Sequence, residues 1–200
     1  LAQVFNNAGR ILRNRQYITH ALILWLSFGL MFAYISSYSF IVQEKLNLTA
    51  GDFAASFALN GTGLIITSFI TSGIVDRAGP KRMLTIGVIT QLSAMVALLV
   101  TFFGGFVSAP VIMIEMFFLV IAMGFVFGPV TALAMMEVRF AAGTAVALLG
   151  SIQFASASVS AFLVGAVSND ALVSFITIAG TAALFVLGAL LLSRARPTAN

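Results

Sequence analysis

The sequence has no cysteine, one histidine, one tryptophan and four prolines in 200 residues. Without cysteine there is no disulfide, no thiolate metal site and no cysteine nucleophile. One histidine cannot build a multi-histidine metal centre. Charge is scarce too: ten Lys plus Arg and six Asp plus Glu make up 8% of the chain. A soluble domain carries about 25%, so these charges are too few to cover a water-facing surface. There is no Gly-x-x-x-x-Gly-Lys-(Ser/Thr) loop to cradle phosphates, no His-Glu-x-x-His and no Gly-x-Ser-x-Gly elbow. These absences point away from an enzyme and from any cofactor. Leu1 to Arg15 is polar and basic, with no apolar run ahead of a small-residue cleavage site, so it does not read as a signal peptide. The chain opens at Leu1 rather than Met, which suggests a piece of something longer.

What the chain has instead is apolar length. Hydrophobic residues make up 60% of it, gathered into six runs that each approach the roughly 20 helical residues needed to cross a bilayer. The runs predict spans at about 17–40, 53–75, 83–103, 111–136, 144–167 and 171–192. The expected fold is an all-α integral membrane bundle. Residues 1–16 form a linker or interfacial segment, 17–193 the six-helix domain and 194–200 a tail. Arg10, Arg13, Arg15, Arg77, Lys81, Arg82, Arg139, Arg194 and Arg196 fall in connectors on one side, and Lys45 alone on the other. That bias predicts both termini on the cytoplasmic side. The net charge of +4 therefore reads as topology rather than a nucleic-acid footprint.

Polar residues inside the spans divide the helices. The third and sixth spans have few, so they are expected to face lipid, while the first, second, fourth and fifth should line an interior. Asn60 and Gln153 lie mid-span, suited to interhelical hydrogen bonds or to contact with a ligand. Ser27, Met31, Tyr34 and Tyr38 share one helical face, and such side chains suit either packing or a weakly selective pocket. Glu115 is the carboxylate well inside a span. It is expected either to snorkel to water or to face a cavity, taking a proton or attracting a cation. Gly143, Ala147, Gly150, Ser151, Ala155, Ser158 and Ala161 make the fifth span rich in small residues, which predicts close helix packing. Gly128-Pro129 marks a kink in the fourth span. His20 reads as structural. Asn47-Leu48-Thr49 reads as loop and cap, with Thr49 and Asp52 spaced as a capping box.

One stretch ties the others together. Ser72-Gly73-Ile74-Val75-Asp76-Arg77-Ala78-Gly79-Pro80-Lys81-Arg82 is a short basic turn between two spans. It resembles the loop motif of the major facilitator superfamily, Gly-x-x-x-Asp-Arg-x-Gly-x-(Arg/Lys)-(Arg/Lys). Asp76, Arg77, Gly79, Lys81 and Arg82 match, and Ser72 stands where the motif has glycine. Further stretches look like the C-terminal half of the Bcr/CflA drug-resistance efflux branch. They are Leu12-Arg13-Asn14-Arg15, Met31 to Ser36, Phe57 to Asn60 with Gly63 to Ile66, and Ala142 to Gly150 with Gln153-Phe154. The chain departs from that branch where Ser39 precedes Phe40 and where Val130 follows Pro129.

The resemblance implies the seventh to twelfth helices of a proton-coupled drug exporter that works by alternating access in a bacterial inner membrane. Asp76 to Arg82 would form a gating loop. Tyr34, Met31, Tyr38, Asn60 and Gln153 would line the cavity. The implied partners are the N-terminal six-helix half, the lipid bilayer, protons and a small amphipathic drug-like substrate. An importer of a sugar or metabolite, and a non-transporting six-helix scaffold, stand as alternatives.

Overall fold

The computed structural model describes residues 2–194. Seven α-helices follow in order among them: α1 (Ala2–Arg13), α2 (Arg15–Phe40), α3 (Ala50–Ala78), α4 (Pro80–Phe103), α5 (Ala109–Met136), α6 (Ala142–Val167) and α7 (Ala171–Arg194). The segments containing α2 to α7 are each long and apolar enough to cross a membrane. The protein is thus an all-α, six-span membrane bundle. The predicted tail lies, apart from Arg194, outside the described residues.

Local chemistry sets the helix ends. Asn14 caps α2 by accepting a bond from the Tyr17 N–H at 2.9 Å, and its amide donates to the Glu137 carbonyl at 3.3 Å. That second bond pins the α1–α2 junction to the α5–α6 turn. Arg10 adds a guanidinium 4.5 Å above the Phe140 ring, a cation–π contact on the same turn. The predicted capping box is present: Thr49 accepts from the Asp52 N–H at 3.1 Å, and Asp52 accepts from the Thr49 N–H at 2.9 Å. The first span runs on past Phe40 as a π-helical turn, Ile41–Lys45, which the sequence does not signal. Lys45 then pairs with Asp170 at 2.5 Å. Asp170 also accepts bonds from the Leu172 and Val173 N–H groups and so caps α7.

α2 and α5 sit at the centre. α2 packs against α5, α6 and α7, while α5 packs against α2, α3 and α4. About 56% of the α2 span is buried, against 22% for α3 and 11% for α6. The third and sixth spans, α4 and α7, are each 44% buried, and the second and fifth are the most exposed. The reason is that α3 turns its small and polar residues inward. Ser56, Asn60, Gly63, Thr67 and Thr71 are buried, while Leu59, Ile65, Ile66, Phe69 and Ile70 are exposed. A polar group inside a span needs a protein partner, and the inward face of α3 supplies it.

The small-residue face of α6 lies on the surface of this bundle. Gly143, Ala147, Ser151, Ala155 and Ser158 are exposed, and Gly143 and Gly150 have open space beside them. α6 instead meets α2 through polar ties. Tyr17 donates to the Ala145 carbonyl at 2.8 Å, Trp25 to the Leu149 carbonyl at 3.1 Å, and Ser156 to the Trp25 carbonyl at 2.8 Å.

Candidate functional site

The basic turn is tighter than a loop. α3 continues through Asp76 and Arg77 to Ala78, and α4 starts at Pro80, so Gly79 alone joins them. Gly79 has φ +84°, in the region that glycine adopts without steric penalty. Its N–H donates to the Val75 carbonyl at 2.8 Å, closing α3. Pro80 follows at the first helical position, where its missing N–H costs nothing. Asp76, Arg77, Lys81 and Arg82 are all exposed around this turn. Among the described residues the ion pair is Lys45–Asp170, so Asp76 and Arg77 present their charges outward. Asp76 stands at the C-terminal end of α3, where the helix dipole disfavours an anion.

The predicted cavity residues fall into two groups. Tyr34, Tyr38 and Asn60 are buried where α2 meets α3. Asn60 donates to the Tyr34 hydroxyl at 2.8 Å, and the Tyr34 ring stacks on Phe57 with centroids 5.9 Å apart. Tyr38 is 4.8 Å from Tyr34 and 5.9 Å from Phe53, and its buried hydroxyl has no partner. These rings pack on one another. Met31 and Gln153 are half-buried on α2 and α6, and Met31 packs against the core that holds Tyr34 and Tyr38. A second aromatic group centres on Phe28. Phe28 lies 5.2 Å from Phe32, 5.7 Å from Phe127 and 5.8 Å from Phe154. Phe154 is 64% exposed. Four phenylalanines from α2, α5 and α6 thus build one partly open apolar face.

The remaining sites lie elsewhere. Glu115 sits on the flank of α5 that meets α4, apart from both aromatic groups. Thr101 of α4 donates to its Oε1 at 2.5 Å, while the buried Oε2 has no partner. Pro129 is buried within α5, which runs unbroken through it. The carbonyl of Phe125, four residues before, consequently loses its helical donor. Gly128 beside it is exposed. His20 is buried, with Nδ1 2.9 Å from the Gln16 carbonyl.

Comparison with known proteins places this architecture. Residues 2–161 match the family model of the Major Facilitator Superfamily. The chain belongs to that superfamily. It is also 32% identical over 183 residues to an uncharacterized MFS-type transporter, YdgK, of Bacillus subtilis (strain 168). The match covers 88% of this chain and 45% of that relative, so the chain spans about half the length of the curated relative it matches.

Sequence reasoning missed Phe28, Phe32 and Phe127. The four-residue spacing of Phe28 and Phe32 was a usable signal, since it puts both rings on one helix face. Their meeting with Phe127 and Phe154 was not legible. Gln91 was also missed: it is buried on α4, and both polar atoms of its amide lack a partner.

Proposed function

We propose that this chain is the C-terminal half of a proton-coupled multidrug exporter of the Bcr/CflA branch, working by alternating access in a bacterial inner membrane. The Gly79 end faces the cytoplasm in this reading, and the exposed faces of α3 and α6 meet the N-terminal half. The observation that carries it is the face built by Phe28, Phe32, Phe127 and Phe154. An aromatic surface with few polar groups suits large apolar cations and offers little to a sugar. Tyr34, Tyr38 and Asn60 then act behind that face, fixing α3 against α2.

Asp76, Arg77, Gly79, Lys81 and Arg82 form the gate in this reading. The unpaired charges at the turn are available to contact the other half in one state and release it in the other, which shifts the balance between states by the difference in contact energy. The main proton-coupling carboxylate belongs to the N-terminal half. The test is efflux of ethidium from cells that express the full-length protein. Export should stop when a protonophore collapses the gradient, and Phe154→Ala should lower it several-fold. Export that survives the protonophore, or no export of any apolar cation, overturns the reading.

A further inference from the structure

A cleft of about 260 Å³ runs between α4 and α5, lined by Thr90, Ser93, Ala94, Ala97, Ile114, Glu115 and Phe118. It opens away from the aromatic face. On α5, the side that carries Met116, Val120 and Met123 joins the core shared with α2, and Phe127 on that side touches Phe28. Ile114 and Phe118 lie on the opposite side of the helix by its 3.6-residue period, and both are exposed. The cleft therefore opens on the outer surface of this bundle, away from the aromatic face.

Its chemistry is specific. Glu115 is 9% exposed, and an ionisable group within a span calls for a partner. Thr101 satisfies one oxygen and nothing satisfies the other. No Lys or Arg pairs with it, since Lys45–Asp170 is the ion pair among the described residues. Thr90 and Ser93 add two hydroxyls. Neither makes the bond to the preceding turn that Thr62, Ser68, Thr71, Ser151 and Thr177 make, so both are available to the cleft. The shape is also directional. Glu115 lies six residues inside α5, about 9 Å from its start, and the α4 wall from Ala97 to Thr90 is about 10 Å long at 1.5 Å per residue.

We propose that this cleft is a membrane-facing binding site for an alkylammonium amphiphile. The ammonium sits at the Glu115 carboxylate near the Lys45 end of the bundle, and the chain lies along Ala97, Ile114 and Phe118. The site is separate from the aromatic face and does not rest on the exporter reading. The occupant is either an ethanolamine lipid or a membrane-partitioned amine, which share the same headgroup chemistry.

The test uses electron spin resonance on the full-length protein in phosphatidylcholine vesicles, with spin-labelled stearylamine and spin-labelled stearyl alcohol as probes. No transport is required, so failure here and failure of the exporter reading are distinguishable. The motionally restricted fraction of the amine should exceed that of the alcohol at least two-fold. The excess should vanish in Glu115→Gln, which keeps the shape and the Thr101 partner, and persist in Asp170→Asn. Ala97→Phe fills the cleft from its exposed rim and should also remove the excess, which covers a Glu115 variant that does not fold. Phosphatidylethanolamine that displaces the amine assigns the site to a lipid headgroup, and failure to displace it assigns a free amine. Equal fractions in the wild type, or an excess that survives both variants, overturns the proposal.

Discussion

α3 and α4 are joined by a single glycine, yet they solve the same solvent problem in opposite ways. α3 buries Ser56, Asn60, Gly63, Thr67 and Thr71 and exposes isoleucine, leucine and phenylalanine. α4 buries Met83, Leu84, Val88, Met95 and Leu98 and exposes Ile86, Ile89, Val96 and Val100. α3 adds polar contacts to a close fit at Gly63 and Gly124: Asn60 bonds to Tyr34, and Thr67 to the Ile121 carbonyl at 2.9 Å. α4 buries mostly apolar residues and is held chiefly by fit, with Gly87 against Ala122, Phe125 and Val126 and one bond from Thr101 to Glu115. The difference teaches that hydropathy does not identify the buried face when the solvent is lipid. Close approach and hydrogen bonding identify it.

The comparison breaks most severely at Gly124. A side chain there would begin 2.8 Å from the backbone nitrogen of Ser68 and collide with Thr67. Gly124→Leu should separate α3 from α5 and cost about 3 kcal/mol or more, measured by unfolding in SDS mixed micelles. A loss below about 1 kcal/mol would show that the α3 seam is not closely fitted. Gln91→Leu sharpens the contrast from the other side. Its amide is buried with no partner, so its removal should stabilise the protein by about 1 kcal/mol, where a comparable change on α3 destabilises. Asn60→Leu should cost about 0.6 kcal/mol, the average for an interhelical bond in a membrane. A double-mutant cycle with Tyr34→Phe should recover that coupling, and zero coupling would remove the bond from the account.

The smallest effect lies outside both helices. Burial pushes the Asp170 carboxyl up, but the bond from Lys45, the Val173 N–H, the Lys45 charge and the Leu172 N–H together hold it below the usual carboxylate range. A lowered folded pKa stabilises above the unfolded value, near 3.9, and that contribution is lost as pH falls through the lowered value. Asp170→Asn keeps a capping acceptor but loses the charge. It should cost at most about 0.5 kcal/mol near pH 7 and nothing in acid below that lowered value. An equal cost at both pH values would assign the effect to the cap rather than the ion pair.

Particular residues show how far the sequence could be read. Gly79-Pro80 announced a turn because one residue supplies the positive φ and the next cannot continue a helix. The Thr49–Asp52 pair announced a helix start because both bonds are local. Glu115 stood out as a carboxylate inside a span, but its partner, Thr101, sits on another helix, and no spacing rule links the two. Phe28 and Phe32 are legible as neighbours, whereas Phe127 and Phe154 join them only through packing.

Composition and run length alone established the solvent, the number of crossings and the places where the chain turns. Those properties depend on residues near one another in the chain and on a bilayer thickness that does not vary with the fold. Which face of each helix is covered, where Glu115 opens, and which rings gather around Phe28 came from the packed helices. Apolar side chains suit both lipid and core, so the choice between them was made by the shapes of surfaces distant in the chain.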